Sequence, residues 1–157
     1  MDTNQEHDEV VIPALLRGAR GAYGKVIASR LVMAGFDDLP RNGPFVLGGM
    51  ANHGGTAAEM MDALQVSKQA ASQLIDVLVM RGYLVRQIDP EDRRRMLVQL
   101  TDRGRAAAAE VRAAVEEVDE QLARMVSPAE VAGLRAGLIA LSRIRESYAT
   151  SGDSEDG

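Results

Sequence analysis

Apolar residues first recur at helical spacing between Asp8 and Ala34. Ile12, Leu15 and Leu16, Ala19, Tyr23, Val26 and Ile27, Leu31, then Met33 and Ala34 fall on one stripe of a 3.6-residue period. The spacing predicts one long helix over residues 8–34. Pro13 is tolerated in its first turn, where the amide that proline lacks has no helical partner. Gly35 stops the helix, and FDDLPRNGP reads as a loop. FVLGGMANHGG predicts a short second helix, although Gly48 and Gly49 each cost a helix interior about 1 kcal/mol against alanine.

Thr56-Ala-Ala-Glu59 is a capping box, with hydroxyl and carboxylate each serving the other residue's amide, and it opens the helix AAEMMDAL. A short turn, QV, leads to Ser67, a good N-cap, and to a second helix that ends at Gly82. Two helices joined by about three residues, the second amphipathic, make a helix-turn-helix. Beyond Gly82 the period drops to two. Leu84–Ile88 and Met96–Leu100 each suit a strand, and DPEDRRR between them forms a hairpin tip.

Thr101 then caps a long helix with Val111, Val115, Val118, Leu122 and Met125 about 3.5 residues apart. Ser127-Pro-Ala-Glu130 is a second capping box. The helix it opens carries Val131, Leu134, Leu138, Leu141 and Ile144 on one face. The predicted fold is therefore mainly α with a small β-hairpin: a winged helix-turn-helix at about residues 41–100. Long terminal helices at about 8–34 and 101–148 complete a single domain spanning 8–148. Residues 1–7 and the acidic tail 149–157 are polar enough to predict disorder.

The stripes on the terminal helices exceed what a small winged domain needs for its own core. A two-fold interface through Ile12, Leu15, Leu16, Leu122, Leu134, Leu138 and Leu141 accounts for them, as would an intramolecular helical bundle. The two-fold reading predicts a homodimer with two recognition helices spaced for adjacent major-groove faces.

Charge changes the picture by its distribution. The chain of 157 residues carries a net −5, yet residues 67–105 carry +3 while the segments on either side are acidic. A local basic face on an acidic body fits a nucleic-acid contact confined to the winged region. The remaining chemistry is sparse. Cysteine is absent, which excludes disulfides and thiolate metal sites. His7 and His53 are too few and too far apart for a metal site, so no metal and no cofactor is expected. Met50, Met60, Met61, Met80 and Met96 read as core fillers. No nucleophile–base pair or phosphate-cradling glycine motif appears, so no enzyme is expected. The N-terminus lacks the basic-then-apolar pattern of a signal peptide. No apolar run reaches the roughly 20 residues of a membrane span, which predicts a cytoplasmic protein with no membrane partner.

Ser67, Lys68, Gln69, Ser72 and Gln73 place hydrogen-bonding groups at the N-terminal end of the second helix. Ala70, Leu74, Ile75, Leu78 and Val79 turn inward. Such a face suits base edges in a major groove, but alone it is also an ordinary solvated face. The hairpin tip decides between them. Arg93, Arg94 and Arg95 at the end of a projecting β-turn can enter a narrow minor groove, where negative potential is focused. Asp76, Asp89 and Asp92 are placed to orient a guanidinium by pairing.

GYLVRQIDPEDRRRMLVQLTDRGRA resembles the wing signature of the MarR family of bacterial transcriptional regulators, which runs D-P-x-D-R-R, a strand, then L-T-x-x-G. Asp89, Pro90, Asp92, Arg93, Arg94, Leu100, Thr101 and Gly104 match it. TAAEMMDALQVSKQAASQLIDVLVMRGYL is similar to the family's helix-turn-helix. The likeness is close over residues 45–106 and extends to the flanking helices by their length and order. It implies a homodimer with intertwined terminal helices, bound to double-stranded DNA at a pseudo-palindromic operator. Thr56 and the wing would supply backbone contacts. By motif position Arg94 is the arginine that enters the minor groove, and Arg93 the partner of Asp76 or Asp92. The resemblance also implies a repressor released by a small aromatic or lipophilic ligand between the dimer helices and the DNA lobe. No effector residue is indicated, and Gly48–Gly49 reads as a flexible point in that region. An activator, a regulator without a ligand, and a winged-helix module that binds protein remain open at this stage.

Overall fold

The computed structural model describes residues 10–53, 56–64, 66–94 and 96–152. The chain is mainly helical with one small hairpin. Its order is α1 (Ile12–Met33), α2 (Gly43–His53), α3 (Ala57–Leu64), α4 (Lys68–Met80), β1 (Leu84–Ile88), β2 (Met96–Leu100), α5 (Asp102–Met125) and α6 (Pro128–Gly152). This is the expected winged helix-turn-helix with both strands in their expected places. Two compact units meet between Val118 and Asp119, within α5.

In the first unit, α1 and α4 end in the same way. Gly35 and Gly82 adopt φ of 82° and 75°, the left-handed backbone that glycine tolerates. Each donates to the carbonyl three residues back. The next residue then closes onto the carbonyl five back, Phe36 onto Leu31 at 2.8 Å and Tyr83 onto Leu78 at 2.9 Å. The α4 helix therefore stops at Met80, two residues short of the expected Gly82. The two closing residues meet, with the Phe36 and Tyr83 rings 6.2 Å apart and tilted by 59°. Tyr83, Leu47, Leu78, Leu84 and Val46 are fully buried at the centre of the core.

The antiparallel hairpin pairs Leu84 with Leu100 and Ile88 with Met96. Its exit is tied down by Thr101, whose hydroxyl donates to the Gly82 carbonyl at 2.5 Å and accepts the Gly104 amide at 3.0 Å. As expected, Thr101 caps α5. The first turn of α5 presses on β1's approach so closely that a Cβ on Gly104 would lie 2.1 Å from the Tyr83 carbonyl oxygen. Backbone cannot move aside as a flexible side chain can. Gly104→Ala should therefore lower the thermal midpoint by roughly 5 °C or more, read by calorimetry. An unchanged midpoint would show that the contact is not tight.

Several expectations are corrected. Gly48 and Gly49 lie within a continuous α2. A Cβ at Gly48 would come within 3.2 Å of Val111, and one at Gly49 within 1.9 Å of the Met60 sulfur. The pair permits close helix packing rather than marking a flexible point. Ala70 is exposed, and Ala71 packs on the core in its place, because the inward stripe runs through Ala71, Leu74, Ile75 and Leu78. Met50 and Met61 are buried and Met60 is half-buried, but Met80 and Met96 are 76% and 54% exposed and fill no core. The first half of α5 buries Gly104, Ala107, Ala108, Val111 and Ala114, small residues that an apolar count undervalues. α1 begins at Ile12 rather than at residue 8, and residues 1–9 lie outside the described residues. Arg30 of α1 pairs with Glu110 at 3.2 Å and Glu117 at 3.3 Å on α5.

The second unit holds the end of α5 and all of α6. Ser127 and Glu130 form the expected capping box. Glu130 accepts the Ser127 amide at 2.8 Å, and the Ser127 hydroxyl accepts the Glu130 amide at 3.3 Å. Hydrogen bonds from Ser127 hold the Glu130 carboxyl below its ordinary range. α6 continues to Gly152, past the expected boundary at 148, and residues 153–157 of the expected tail lie outside the described residues. No helix among the described residues is long and apolar enough to cross a membrane.

Candidate nucleic-acid interface

The helix-turn-helix is set by its caps. Thr56 and Glu59 exchange hydrogen bonds of 2.7 and 3.2 Å at the start of α3. The Ser67 oxygen accepts the Ala70 amide at 3.2 Å at the start of α4. Both hydroxyls thereby spend an acceptor position on their helix and keep a proton to donate outward. Ser67, Lys68, Gln69, Ser72 and Gln73 are all exposed. Their side chains crowd the first two turns of α4, whose unpaired amides favour an anion.

The wing leaves the core along β1. Leu84 is buried, and the exposure rises to Ile88 at the far end. Residues 89–94 then lead through the tip. Asp89 accepts the Glu91 amide at 2.9 Å, and Asp92 accepts the Arg94 amide at 3.0 Å. Each carboxylate thus folds the backbone two residues on, an Asx turn. Arg93 and Arg94 are exposed, and neither forms an ion pair among the described residues. Arg95 lies outside the described residues.

This arrangement changes the roles expected of the aspartates. Asp89 and Asp92 shape the turn through main-chain amides rather than aiming a guanidinium. Asp76 pairs with Arg86, at 2.6 Å, and not with Arg93. The reason is reach. Arg86 sits on the same strand face as buried Leu84 and so points back at α4, whereas Arg93 lies out on the tip. Both members of the pair are largely exposed, so its contribution to stability is small. Its geometric effect is to tie α4 to the wing. Arg86 was legible only as a strand residue.

A second cluster braces the other end of α4. Tyr83 donates its hydroxyl to Asp38, and Arg103 reaches Asp38 at 3.0 Å and the Tyr83 oxygen at 3.1 Å. Arg103 lies 4.6 Å above the Tyr83 ring and 5.8 Å from that of Phe36, within cation–π range. Arg81 donates to the Asp38 carbonyl. The α1–α2 loop, the end of α4 and the start of α5 therefore share one node. The Tyr83 hydrogen bond, then Arg103, holds the Asp38 carboxyl below its ordinary value of 3.8. Burial, then Asp38, pushes the Tyr83 phenol up. Since Asp38 is more acidic folded than unfolded, the unfolded chain binds more protons in acid. The stabilisation is present above about pH 4 and is lost as pH falls through the lowered value. Asp38→Asn should flatten that acid limb, read as the urea midpoint against pH. An unchanged limb would remove Asp38 from the balance. Nothing in the sequence links Asp38 with residues 45 and 65 positions further on.

The residues expected at a dimer interface are exposed in the single chain. Ile12, Leu15 and Leu16 on α1 are 61, 49 and 36% exposed. Leu134, Leu138 and Leu141 on α6 are 48, 40 and 40% exposed, and Leu122 is half-buried.

Comparison with known proteins agrees with this geometry. The MarR family model matches residues 37–95, the helix-turn-helix and most of the wing. No curated protein matches the chain. Among solved structures, the S. aureus MepR–DNA complex is 21% identical, with a TM-score of 0.68 over 86% of this chain and 98% of that one. A MarR family transcription regulator, SP03579, is 23% identical, with a TM-score of 0.69 over 94% and 95%. Apo wild-type MarR from E. coli is 23% identical, with a TM-score of 0.58 over 84% and 96%. At such identities the likeness is one of fold. The chain is thus similar to the MarR family over its helix-turn-helix and most of its wing, and it shares the winged fold of these solved structures.

Proposed function

We propose that the protein is a sequence-specific DNA-binding transcriptional regulator, a cytoplasmic homodimer that binds a pseudo-palindromic operator. The observation that carries this reading is the pairing of two exposed elements through Asp76 and Arg86. One is α4, which exposes a polar N-terminal face ahead of Asp76, and the other is an arginine-tipped wing. Ser67, Lys68, Gln69, Ser72 and Gln73 read base edges in the major groove. Thr56 donates to backbone phosphate, and Arg94 enters the adjacent minor groove, flanked by Arg93 and Arg95. The acidity of the remaining chain keeps this contact local. The S. aureus neighbour, whose structure is that of a DNA complex, lends the same reading support by analogy of fold.

Within that function we favour a repressor released by a small aromatic or lipophilic ligand that favours a dimer geometry unable to span both half-sites. Selection of bound duplexes from a random DNA pool tests the reading. An enriched inverted repeat with half-sites about one helical turn apart is expected, with affinity falling steeply as salt rises. A pool that remains random after selection would sink it.

A further inference from the structure

Ile88 and Met96 are the last residues of β1 and the first of β2, and they stand directly opposite each other. Opposed residues of an antiparallel pair point to the same face. Along that face run buried Leu84 with half-buried Leu100 against the core, then Arg86 with half-buried Val98, then Ile88 with Met96. Arg86 pairs with Asp76 on α4, so this is the side of the wing turned toward the recognition helix. The core ends before the last pair. Ile88 is 61% exposed and Met96 is 54% exposed. An isoleucine and a thioether are thus held open to water at the base of the arginine tip. They are next in the chain to Asp89 and Arg95.

We propose that Ile88 and Met96 form an apolar ledge that packs on the deoxyribose wall of the groove entered by the wing. The inference rests on the reading of the wing as a DNA contact. Continuity with the arginine tip identifies the occupant: any duplex that receives Arg94 must pass over the base of the same hairpin. The sugar edges are the apolar part of a DNA groove, and they take van der Waals contact rather than charge. The ledge therefore adds affinity that does not depend on counterion release, beside arginines whose contribution does. Met96 suits the place because its unbranched thioether adapts to an uneven wall.

The test is duplex binding by I88T/M96T, in which threonine keeps strand propensity while removing most of the apolar surface. Binding to a selected duplex is measured from low to high salt. Affinity should fall about tenfold, about 1.4 kcal/mol, with the slope of log affinity on log salt unchanged. I88L/M96L, which keeps the apolar volume, should bind like the wild type. Unchanged affinity in I88T/M96T overturns the ledge. So does a loss accompanied by the shallower slope of Arg94→Ala, since the wing would then merely have loosened. A change in oligomer size at unaltered DNA affinity overturns it as well and makes the pair a protein contact. If the wild-type chain binds no duplex, the DNA reading itself fails, and the ledge with it.

Discussion

Arg94→Ala should weaken binding to a selected duplex by about ten- to a hundredfold while leaving the fold and the oligomeric state intact. The Arg94 amide is fixed by Asp92, but its guanidinium makes no ion pair among the described residues. Removing it therefore costs the free protein little. In the complex it removes a cation from the groove where potential is most negative, a loss of about 1–3 kcal/mol. Fewer counterions are then released, so the salt slope should fall by about one. Asp76→Ala keeps every cation but frees Arg86 and loosens the wing, so the tip seats less often and affinity and salt slope should both fall. Wild-type affinity in Arg94→Ala would remove the wing from the interface.

Leu138→Glu and Leu15→Glu should convert a dimer into monomers. Both side chains project from long helices as exposed leucines in rows of exposed apolar residues. If a second copy covers them, each substitution withdraws about 1.5–3 kcal/mol of burial and leaves a carboxylate without a partner. A two-fold interface counts each change twice. The dimer dissociation constant should then rise by roughly ten-thousandfold or more. Sedimentation at micromolar concentration reads the result, and a wild-type chain already monomeric there would refute the two-fold interface. Because one recognition helix reads only a half-site, DNA affinity should collapse with the dimer.

Much of the winged region was legible because its signals are local. Both strands, α3 and the Thr56 and Ser67 caps follow from residues within four positions of each other, and the structure holds them where the pattern put them. The expectations that failed depended on a third dimension. Gly48 and Gly49 looked flexible because propensity says nothing of the Val111 and Met60 side chains they admit. Met80 and Met96 looked like core because hydrophobicity does not tell where a core ends. Asp76 was matched to the wrong arginine because sequence separation does not give the direction of a strand residue.

The sequence by itself determined the order of elements, the turn chemistry, the wing motif and the concentration of positive charge in the central third. Those depend on periodicity, capping and composition, which act over a few residues. Tertiary structure alone decided which long-range partners meet. It joined Asp38 to Tyr83 and Arg103, Asp76 to Arg86, and the Tyr83 carbonyl to Gly104. It also left Ile88 and Met96 open beyond the core. Such pairings rest on packing between segments distant in the chain, where hydrogen-bond geometry over a few ångströms selects among many residues of equal chemical suitability.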